Sequence, residues 1–463
     1  MRTCYNSKGY TEFVIQMRGN MLYTNRDLKK LIIPLVFEQL LSILVGMIDT
    51  VMIAGVGEAA VSGVSLVDTI NILVINITAA LATGGAVVAG HFLGQKDPEN
   101  ASRSAWQLLL FSIWLSIAVT ILFLAAHKPI LQLVFGQVEA EVMSSATTYL
   151  IITALSICPL AVYNSCAALF RAMNDSRTTM WIAIVMNLIN FAGNAILIYG
   201  AKIGVAGAAI ATTFSRIVAA LIIMVLIFNP QRVINFKGQV TWKLDLNLIK
   251  KILYIGVPNG MENSLFQLGK ILLLSLVSTL GTYAIAANAV CNTLASFNVL
   301  PGQAINLALL SVASMCIGAG DFQQTRYYTR KLMRLSTACT IVFSAVIILF
   351  APQIMKIYQL SSQTEELAIQ VIRWHALIAV FLWMPSFTLP NTLRAAGDVV
   401  WTMAIAILSM WTFRIGFAYL FNYFFHWGLL GVWVAMTIDW GFRSLCYELR
   451  YHGHKWERFM KKA

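Results

Sequence analysis

Two acidic residues lie inside the first long apolar run of the chain, Leu31 to Ala54. As a helix rising about 1.5 Å per residue, this run is long enough to cross the roughly 30 Å hydrocarbon core of a bilayer. It contains Glu38 and Asp49, and a carboxylate at such a depth usually faces water or a protein interior on the path of an ion or a substrate. Eleven positions apart, the two acids lie on nearly the same helix face, at depths that differ by about 16 Å. Both are candidates for binding a cation or a proton, and Glu38 is also near enough to the start of the run to be an interfacial acid.

Three further polar residues are expected at the depth of Asp49. Asp49 and Asn194 lie at similar distances before the ends of the first and fifth apolar runs, and Thr212 lies a similar distance after the start of the sixth. All three are therefore roughly 8 to 12 Å deep in the membrane. Asn190 lies one turn further in, on the same face as Asn194. A carboxylate, two amide oxygens and a hydroxyl suit a small hard cation, or a proton held on Asp49. Alternatively, Asp49 pairs with a structural donor such as Arg216, and the other three join helices by hydrogen bonds.

Four more ionisable residues interrupt apolar runs in the second half of the chain, and we consider each as a lining residue of a substrate cavity. Lys270 lies two turns from Glu262, and the two charges either line a cavity or neutralise partners on other helices. Arg414 and Asp439 fall at similar depth in the last two runs, which favours a structural salt bridge over a substrate role. A fixed Lys and Arg in a cavity would disfavour cationic compounds, so an anionic or zwitterionic substrate stays open.

The composition is that of a helical membrane protein. Of 463 residues, 59% are hydrophobic and only 11% are charged, which excludes a soluble multi-domain protein. The net charge of +13 is spread over alternate loops rather than one patch, so we expect no nucleic-acid partner. Seven scattered cysteines, with no paired spacing, argue against a disulfide framework and a transition-metal site. No cofactor is expected beyond the transported ion.

Twelve apolar runs predict an all-α membrane protein with twelve transmembrane helices. The runs lie at about 31–54, 64–90, 104–126, 146–169, 179–200, 204–228, 250–278, 286–316, 334–355, 367–391, 401–424 and 428–447. Lys and Arg in the loops, at the termini and at the ends of the runs divide 25 to 3 between the two sides, counting both termini with the richer side. By the positive-inside rule both termini are cytoplasmic, and the protein is expected to cross the plasma (inner) membrane many times.

The chain also contains an internal repeat, which predicts two pseudo-symmetric six-helix lobes. A shift of 224 residues aligns Pro34 with Pro258, Glu38 with Glu262, and Gly204 with Gly428. Asp49 aligns with Leu273, so the second lobe lacks the deep acid. The predicted organisation is a cytoplasmic segment 1–30, a first lobe 31–228, a cytoplasmic linker 229–249, a second lobe 250–447 and a cytoplasmic tail 448–463. Both lobes enter the membrane from the same side, and substrates of such proteins bind near mid-membrane between or within the lobes.

The start of the chain carries no evident signal peptide, because its first 30 residues are polar and basic. Residues 1–20 are expected to be dispensable. Met21 would make a natural start, with Asn25 as the N-cap of the first helix and Asp27 in its first turn.

Several motifs in this order resemble the multidrug and toxic compound extrusion (MATE) transporters of bacterial type. They are P-x-x-x-E-Q followed by M-I-D-T-V-M-I-A-G-V-G at 47–57, G-Q-K-D after the second run, F-R-A-M-N-D-S-R at 170–177, N-x-x-x-N with I-L-I-Y-G at 190–200, and G-V-A-G-A-A-I-A-T at 204–212. The likeness covers nearly the whole chain from about residue 25. It implies a V-shaped, cation-driven exporter of organic, often cationic, drugs.

The resemblance also implies that the positions of Asp49, Asn190, Asn194 and Thr212 form a cation or proton site in the first lobe. This chain departs from one branch of the family, which has Asp where Asn194 stands. Losing that carboxylate weakens a two-acid proton relay and slightly favours sodium, but the choice between sodium and proton stays open.

The predicted function is therefore a secondary active antiporter that exports small amphipathic organic compounds, without enzymatic activity and as a monomer. One alternative is a lipid-linked precursor flippase of the same superfamily, for which Lys270, Arg216 and Arg414 would supply a cationic cavity. A less favoured alternative is an intramembrane transferase, although no H-E-x-x-H, G-x-S-x-G, Walker A or Asp-rich diphosphate motif is found.

Overall fold

The computed structural model describes residues 21–136 and 139–457, and these residues form helices joined by short turns and, at 228–245, by a longer non-helical connection. The predictions for residues 1–20 and for the end of the tail lie outside the described residues. We number the helices α1 to α12. Helical segments that are joined by a π-helical stretch are counted as one helix, and so are the two segments of α4. They are α1 Asn25–Ala54, α2 Glu58–Gly94, α3 Pro98–Phe135, α4 Ala140–Ala154 with Ile157–Ala172, α5 Ser176–Gly200, α6 Gly204–Ile227, α7 Leu246–Ser278, α8 Thr282–Gly318, α9 Phe322–Ile357, α10 Ser362–Ala395, α11 Val399–Phe425 and α12 Gly428–His452.

The twelve helices agree with the twelve predicted spans. Within the described ranges, nine helices are long and apolar enough to cross a membrane, and the two pieces of α4, bent by 50°, make a tenth. The remaining two, α7 and α12, are less apolar because charged residues such as Glu262, Lys270 and Asp439 interrupt them. Charged side chains inside a span are tolerated where they face a protein interior or a cavity.

The first helix begins one residue earlier than predicted. Thr24, not Asn25, is the N-cap: the Asp27 backbone N–H donates to the Thr24 hydroxyl over 3.2 Å, and the Thr24 N–H donates to the Asp27 carboxylate over 3.0 Å. Such a capping box satisfies two backbone groups at once, which explains why the Thr is preferred to the neighbouring Asn. The expectation that Asn25 caps the helix was wrong.

The hydrophobic core is continuous at one end of the molecule and divided at the other. We call the end that carries Met21 and Glu457 the terminal face and the other end the far face. Near the terminal face, Leu35 of α1 and Leu309 of α8 belong to one core that contains residues from both halves of the chain. Toward the far face the core separates into one cluster around Val67 and another around Val371. The halves therefore meet at the terminal face and diverge, leaving a cleft that opens at the far face.

Glycines allow α2 and α8 to approach closely where the halves meet. A Cβ atom added to Gly94 would lie 2.1 Å from the Met315 carbonyl oxygen, and one added to Gly318 would lie 2.1 Å from the His91 carbonyl oxygen. Both distances are far shorter than a van der Waals contact with backbone, so only glycine fits. The repeat relates Gly94 to Gly318, and the crossing is thus built from equivalent residues of the two halves.

Candidate functional site

Three helices of the first half bring the predicted oxygen donors together. Asp49 lies on α1, Asn190 and Asn194 on α5, and Thr212 on α6. The Asn194 amide nitrogen donates to Asp49 Oδ1 over 2.8 Å and lies 3.4 Å from Asn190 Oδ1. Asn190 and Thr212 are joined by a hydrogen bond of 3.1 Å. Asn190 and Asn194 are buried, whereas Asp49 is only partly buried, so the two amides are shielded from solvent and the carboxylate is partly accessible.

The amide of Asn190 can face Asp49 with either of its two polar atoms. With the nitrogen turned inward, it donates to Asp49 Oδ1 over 2.9 Å while the amide oxygen accepts from the Thr212 hydroxyl over 3.1 Å. The opposite orientation turns the amide oxygen toward the carboxylate, which a bound cation would favour because it needs oxygen ligands. The Asn194 amide oxygen is buried without a hydrogen-bond partner in the described part of the chain. The residues therefore fit a small hard cation or a shared proton.

A second acid, which the sequence analysis missed, lies beside this group. Asp68 of α2 is exposed, and its charge acts on Asp49 and on Arg216. Arg216 donates to the Ser156 hydroxyl over 2.7 Å and forms no direct ion pair with Asp49 among the described residues. The signal that singled out Asp49, an acid within an apolar run, also holds for Asp68 and could have identified it.

Glu38 does not lie with the Asp49 group. Its carboxylate pairs with Arg171 over 3.4 Å and accepts a hydrogen bond from the Thr179 hydroxyl over 3.1 Å. In the second half, Glu262 makes the equivalent contact with Arg394 over 2.7 Å. The repeat thus places one acid of the first helix of each half against an arginine at the end of the fourth.

The other candidates of the second half gather around one aromatic ring. Asp439 is buried between Arg443 at 3.2 Å and Arg414 at 3.8 Å, so the predicted Arg414–Asp439 contact is present but is the longer of the two. Arg443 was not singled out from the sequence, although it lies one turn after Asp439. Lys270 has no acidic partner within the described ranges, and its ammonium group lies over the ring of Phe266.

A family model described as MatE matches residues 34–196 and again residues 258–420, offset by the length of the internal repeat. The probable multidrug resistance protein NorM of Thermotoga maritima is 28% identical over 437 residues, which cover 94% of this chain and 93% of that protein.

Solved structures show the same fold. A crystal structure of MATE in complex with MaL6 superposes with a TM-score of 0.87 at 20% identity, covering 94% of this chain and 97% of that one. The outward-facing conformation of a multidrug resistance MATE family transporter has a TM-score of 0.85 at 21% identity, covering 93% and 96%. Because the family model matches most of both halves and the relatives match along almost their whole length, the chain belongs to the MATE family of multi-pass membrane transporters, of the bacterial type.

Proposed function

We propose that this transporter is an antiporter, in which inward movement of sodium ions or protons drives export of small amphipathic organic compounds. The observation that carries the proposal is the contact of Asp49 with Asn194, and through it with Asn190 and Thr212. A partly buried carboxylate among amide and hydroxyl oxygens binds a small cation or a proton and is costly to leave charged and alone.

Coupling follows if the two ligands prefer different conformations. The Asp49 group is built from α1, α5 and α6, so a cation bound there changes how these three helices pack. A bound cation that favours one arrangement of the halves, and a substrate that favours the other, exchange for one another without needing a shared site. Both termini and the terminal face are cytoplasmic in this proposal, because most Lys and Arg lie in the loops on that side. The cleft then opens to the outside.

Reconstituted vesicles test the proposal. Purified protein is inserted into liposomes, sodium or pH gradients are imposed in turn, and movement of a panel of cationic and anionic dyes is followed by fluorescence. We expect transport under at least one gradient, and we expect Asp49→Asn to reduce it by about tenfold or more, since a hydrogen bond to a charged group contributes about 1.5–3 kcal/mol. Dye movement that depends on neither gradient would contradict antiport.

Asp97→Asn is the matched control for this substitution. Asp97 lies at the terminal face, where hydrogen bonds from the Asn100 side chain and backbone hold the pKa of its carboxyl below its usual range. It therefore carries a full charge at neutral pH, as the control requires. Asn also caps helices well, so the change should leave both α3 and transport intact. Equal losses in Asp49→Asn and Asp97→Asn would remove the support for Asp49 as the coupling residue.

A further inference from the structure

Three cationic side chains of the second half surround a single phenylalanine ring. From the centroid of Phe266 on α7, the distances are 5.3 Å to Lys270 Nζ, 5.1 Å to Arg414 Cζ and 5.4 Å to Arg443 Cζ. The three cations come from α7, α11 and α12, so the cluster is a meeting point of helices and not a local sequence feature. A ring face attracts one cation, but three cations at one ring also repel each other.

The acidic residues nearby neutralise this cluster only in part, because one carboxylate, that of Asp439, pairs with two of its three cations. Glu262 pairs with Arg394 at 2.7 Å, and Arg443, at 3.2 Å, is the nearer of the two arginines that pair with Asp439. Arg414 reaches the same Asp439 carboxylate only at 3.8 Å. Arg443 and Arg414 therefore share the single carboxylate of Asp439, and Lys270 has no acidic partner among the described residues.

The cluster extends from an exposed side chain to buried ones. Lys270 is exposed and Phe266 is half-buried, whereas Arg414, at 9% exposure, and His375, at 2%, are buried. In the described part of the chain, Arg414 Nε and His375 Nδ1 are buried polar atoms without a hydrogen-bond partner. An uncompensated lysine at membrane depth normally faces a water-filled cavity, and a buried guanidinium N–H without a partner is suited to binding an acceptor.

The region of the first half that corresponds to this cluster by the repeat carries hydrogen-bond acceptors and negative charge instead of positive charge. The repeat aligns Arg414 with Asn190 of the oxygen group, and Leu273 with the carboxylate Asp49. The first half therefore presents acceptors for a cation, whereas the second half presents donors and positive charge. Two equivalent positions with opposite polarity can bind two ligands of opposite charge in the same transporter.

We propose that the cluster of Lys270, Phe266 and Arg414 binds the anionic group of a small amphipathic organic anion, such as an aromatic carboxylate, sulfonate or phosphate ester. Lys270 and Arg414 bind the anionic group, and the half-buried aromatic side chain contacts the apolar body. The inference rests on the proposed export function, because it names the chemical class of the exported compound.

Binding to the purified full chain in a neutral detergent tests this assignment. Three probes share one ring system: 2-naphthoate, 2-naphthamide and 2-naphthylmethylammonium. Their affinities are measured by isothermal titration calorimetry. We expect 2-naphthoate to bind about tenfold more tightly than either of the others, as one charge-assisted hydrogen bond allows. Equal or tighter binding of the ammonium probe would overturn the proposal.

Substitutions at Lys270 locate the site. Lys270→Gln should weaken 2-naphthoate about tenfold and leave 2-naphthamide unchanged, whereas Lys270→Arg should retain most of the affinity. Lys356→Gln, at an exposed position in the last turn of α9, removes the same charge from a residue outside the cluster and should change neither affinity. Size-exclusion chromatography checks that each variant is folded. If the Lys270→Gln variant is folded and binds 2-naphthoate as tightly as the unchanged protein, the proposal is overturned.

Two further measurements distinguish a wrong ligand class from a wrong transport mechanism. Dioctanoyl phosphatidate carries a similar charge on a lipid, and if it displaces 2-naphthoate at a tenfold lower concentration, the small-molecule assignment is overturned in favour of a lipid anion. Binding is measured without any gradient, so it does not depend on coupling. Gradient-driven export of cationic dyes without 2-naphthoate binding would refute the anion site alone, and 2-naphthoate binding without gradient-driven transport would refute antiport alone.

Discussion

Glu38 and Glu262 make the same contact in the two halves of the molecule, but in differently buried surroundings. The Glu38–Arg171 pair spans 3.4 Å, with side chains 15% and 16% exposed. The Glu262–Arg394 pair spans 2.7 Å, with side chains 9% and 13% exposed. Removing one partner of a buried pair leaves the other charge unpaired, and the cost rises with burial. These contacts therefore differ in how much each stabilises its half.

Glu262→Gln is expected to destabilise the protein more than Glu38→Gln. The loss for Glu262→Gln should be roughly 3 kcal/mol, since the Arg394 charge stays buried without its carboxylate. The loss for Glu38→Gln should be smaller, because this pair is longer and more exposed. Thermal unfolding of the purified protein, followed by tryptophan fluorescence, measures both.

The double variant Glu262→Gln with Arg394→Gln is the control for charge. It removes both charges and should recover part of the lost stability. If Glu38→Gln lowers the melting temperature as much as Glu262→Gln, burial does not determine the cost of breaking these pairs.

Residue-level prediction from the sequence succeeded where depth along a helix was sufficient. The depths of Asp49, Asn194 and Thr212 follow from counting residues from the ends of apolar runs, and the structure brings these three side chains together. Partners across helices were not predictable in this way. Arg171 pairs with a residue 133 positions away, because the rotation and packing of helices decide which faces meet. The predicted roles of the site residues remain predictions.

At the scale of the helices, the apolar runs predicted where every helix lies, but not where each helix ends or bends. Predicted span 64–90 belongs to a helix of 37 residues, Glu58–Gly94, because the polar ends of the helix carry no hydropathy signal. The bend of 50° in α4 falls between Ala154 and Ile157, before Pro159 rather than at it. A further kink in α3 occurs at Ala126, where the backbone leaves helical geometry at φ −116° and ψ 20°. Breaks of this kind depend on neighbouring helices as well as on proline.

Gly318→Ala is expected to disturb the crossing of α2 and α8. The new methyl group would lie 2.1 Å from the His91 carbonyl oxygen, so the two helices must separate. Overpacking of this kind typically costs about 1–3 kcal/mol. Cys316, which is fully buried near the crossing, should then react faster with a maleimide in a variant that retains it as the only cysteine.

Gly46→Ala is the matched control for that change. No atom lies within 4 Å of the position that its Cβ would occupy, and alanine favours a helix over glycine by up to about 1 kcal/mol. It should leave the melting temperature unchanged or slightly raised. Unchanged stability and Cys316 reactivity in Gly318→Ala would show that the close approach of the two helices is not required.

At the scale of the whole molecule, the repeat predicted two halves, whereas the division of the core shows where they join. Tyr23 contacts Tyr328 at the terminal face, with hydrogen bonds of 2.9 Å and 2.7 Å that connect the start of the chain to α9. His91 of α2 hydrogen-bonds the Ala395 carbonyl oxygen of α10 over 2.8 Å. Hydropathy is the same at both ends of a span, so a sequence pattern does not reveal which end of the cleft is closed.

Alternating access requires the contacts at the terminal face to open during each cycle. Asn25 of the first half and Lys331 of the second half are hydrogen-bonded there. In a protein without other cysteines, Asn25→Cys with Lys331→Cys, joined by a short reducible bis-methanethiosulfonate, should therefore lose transport in vesicles and regain it when a reductant is added. Arg326→Cys with Glu457→Cys joins two contacting residues of the same face within the second half, and it should transport normally whether or not it is cross-linked. The halves of this molecule must separate at their shared core for the cleft to close at the far face, so full transport by the quantitatively cross-linked Asn25–Lys331 pair would be incompatible with rocking of one half against the other.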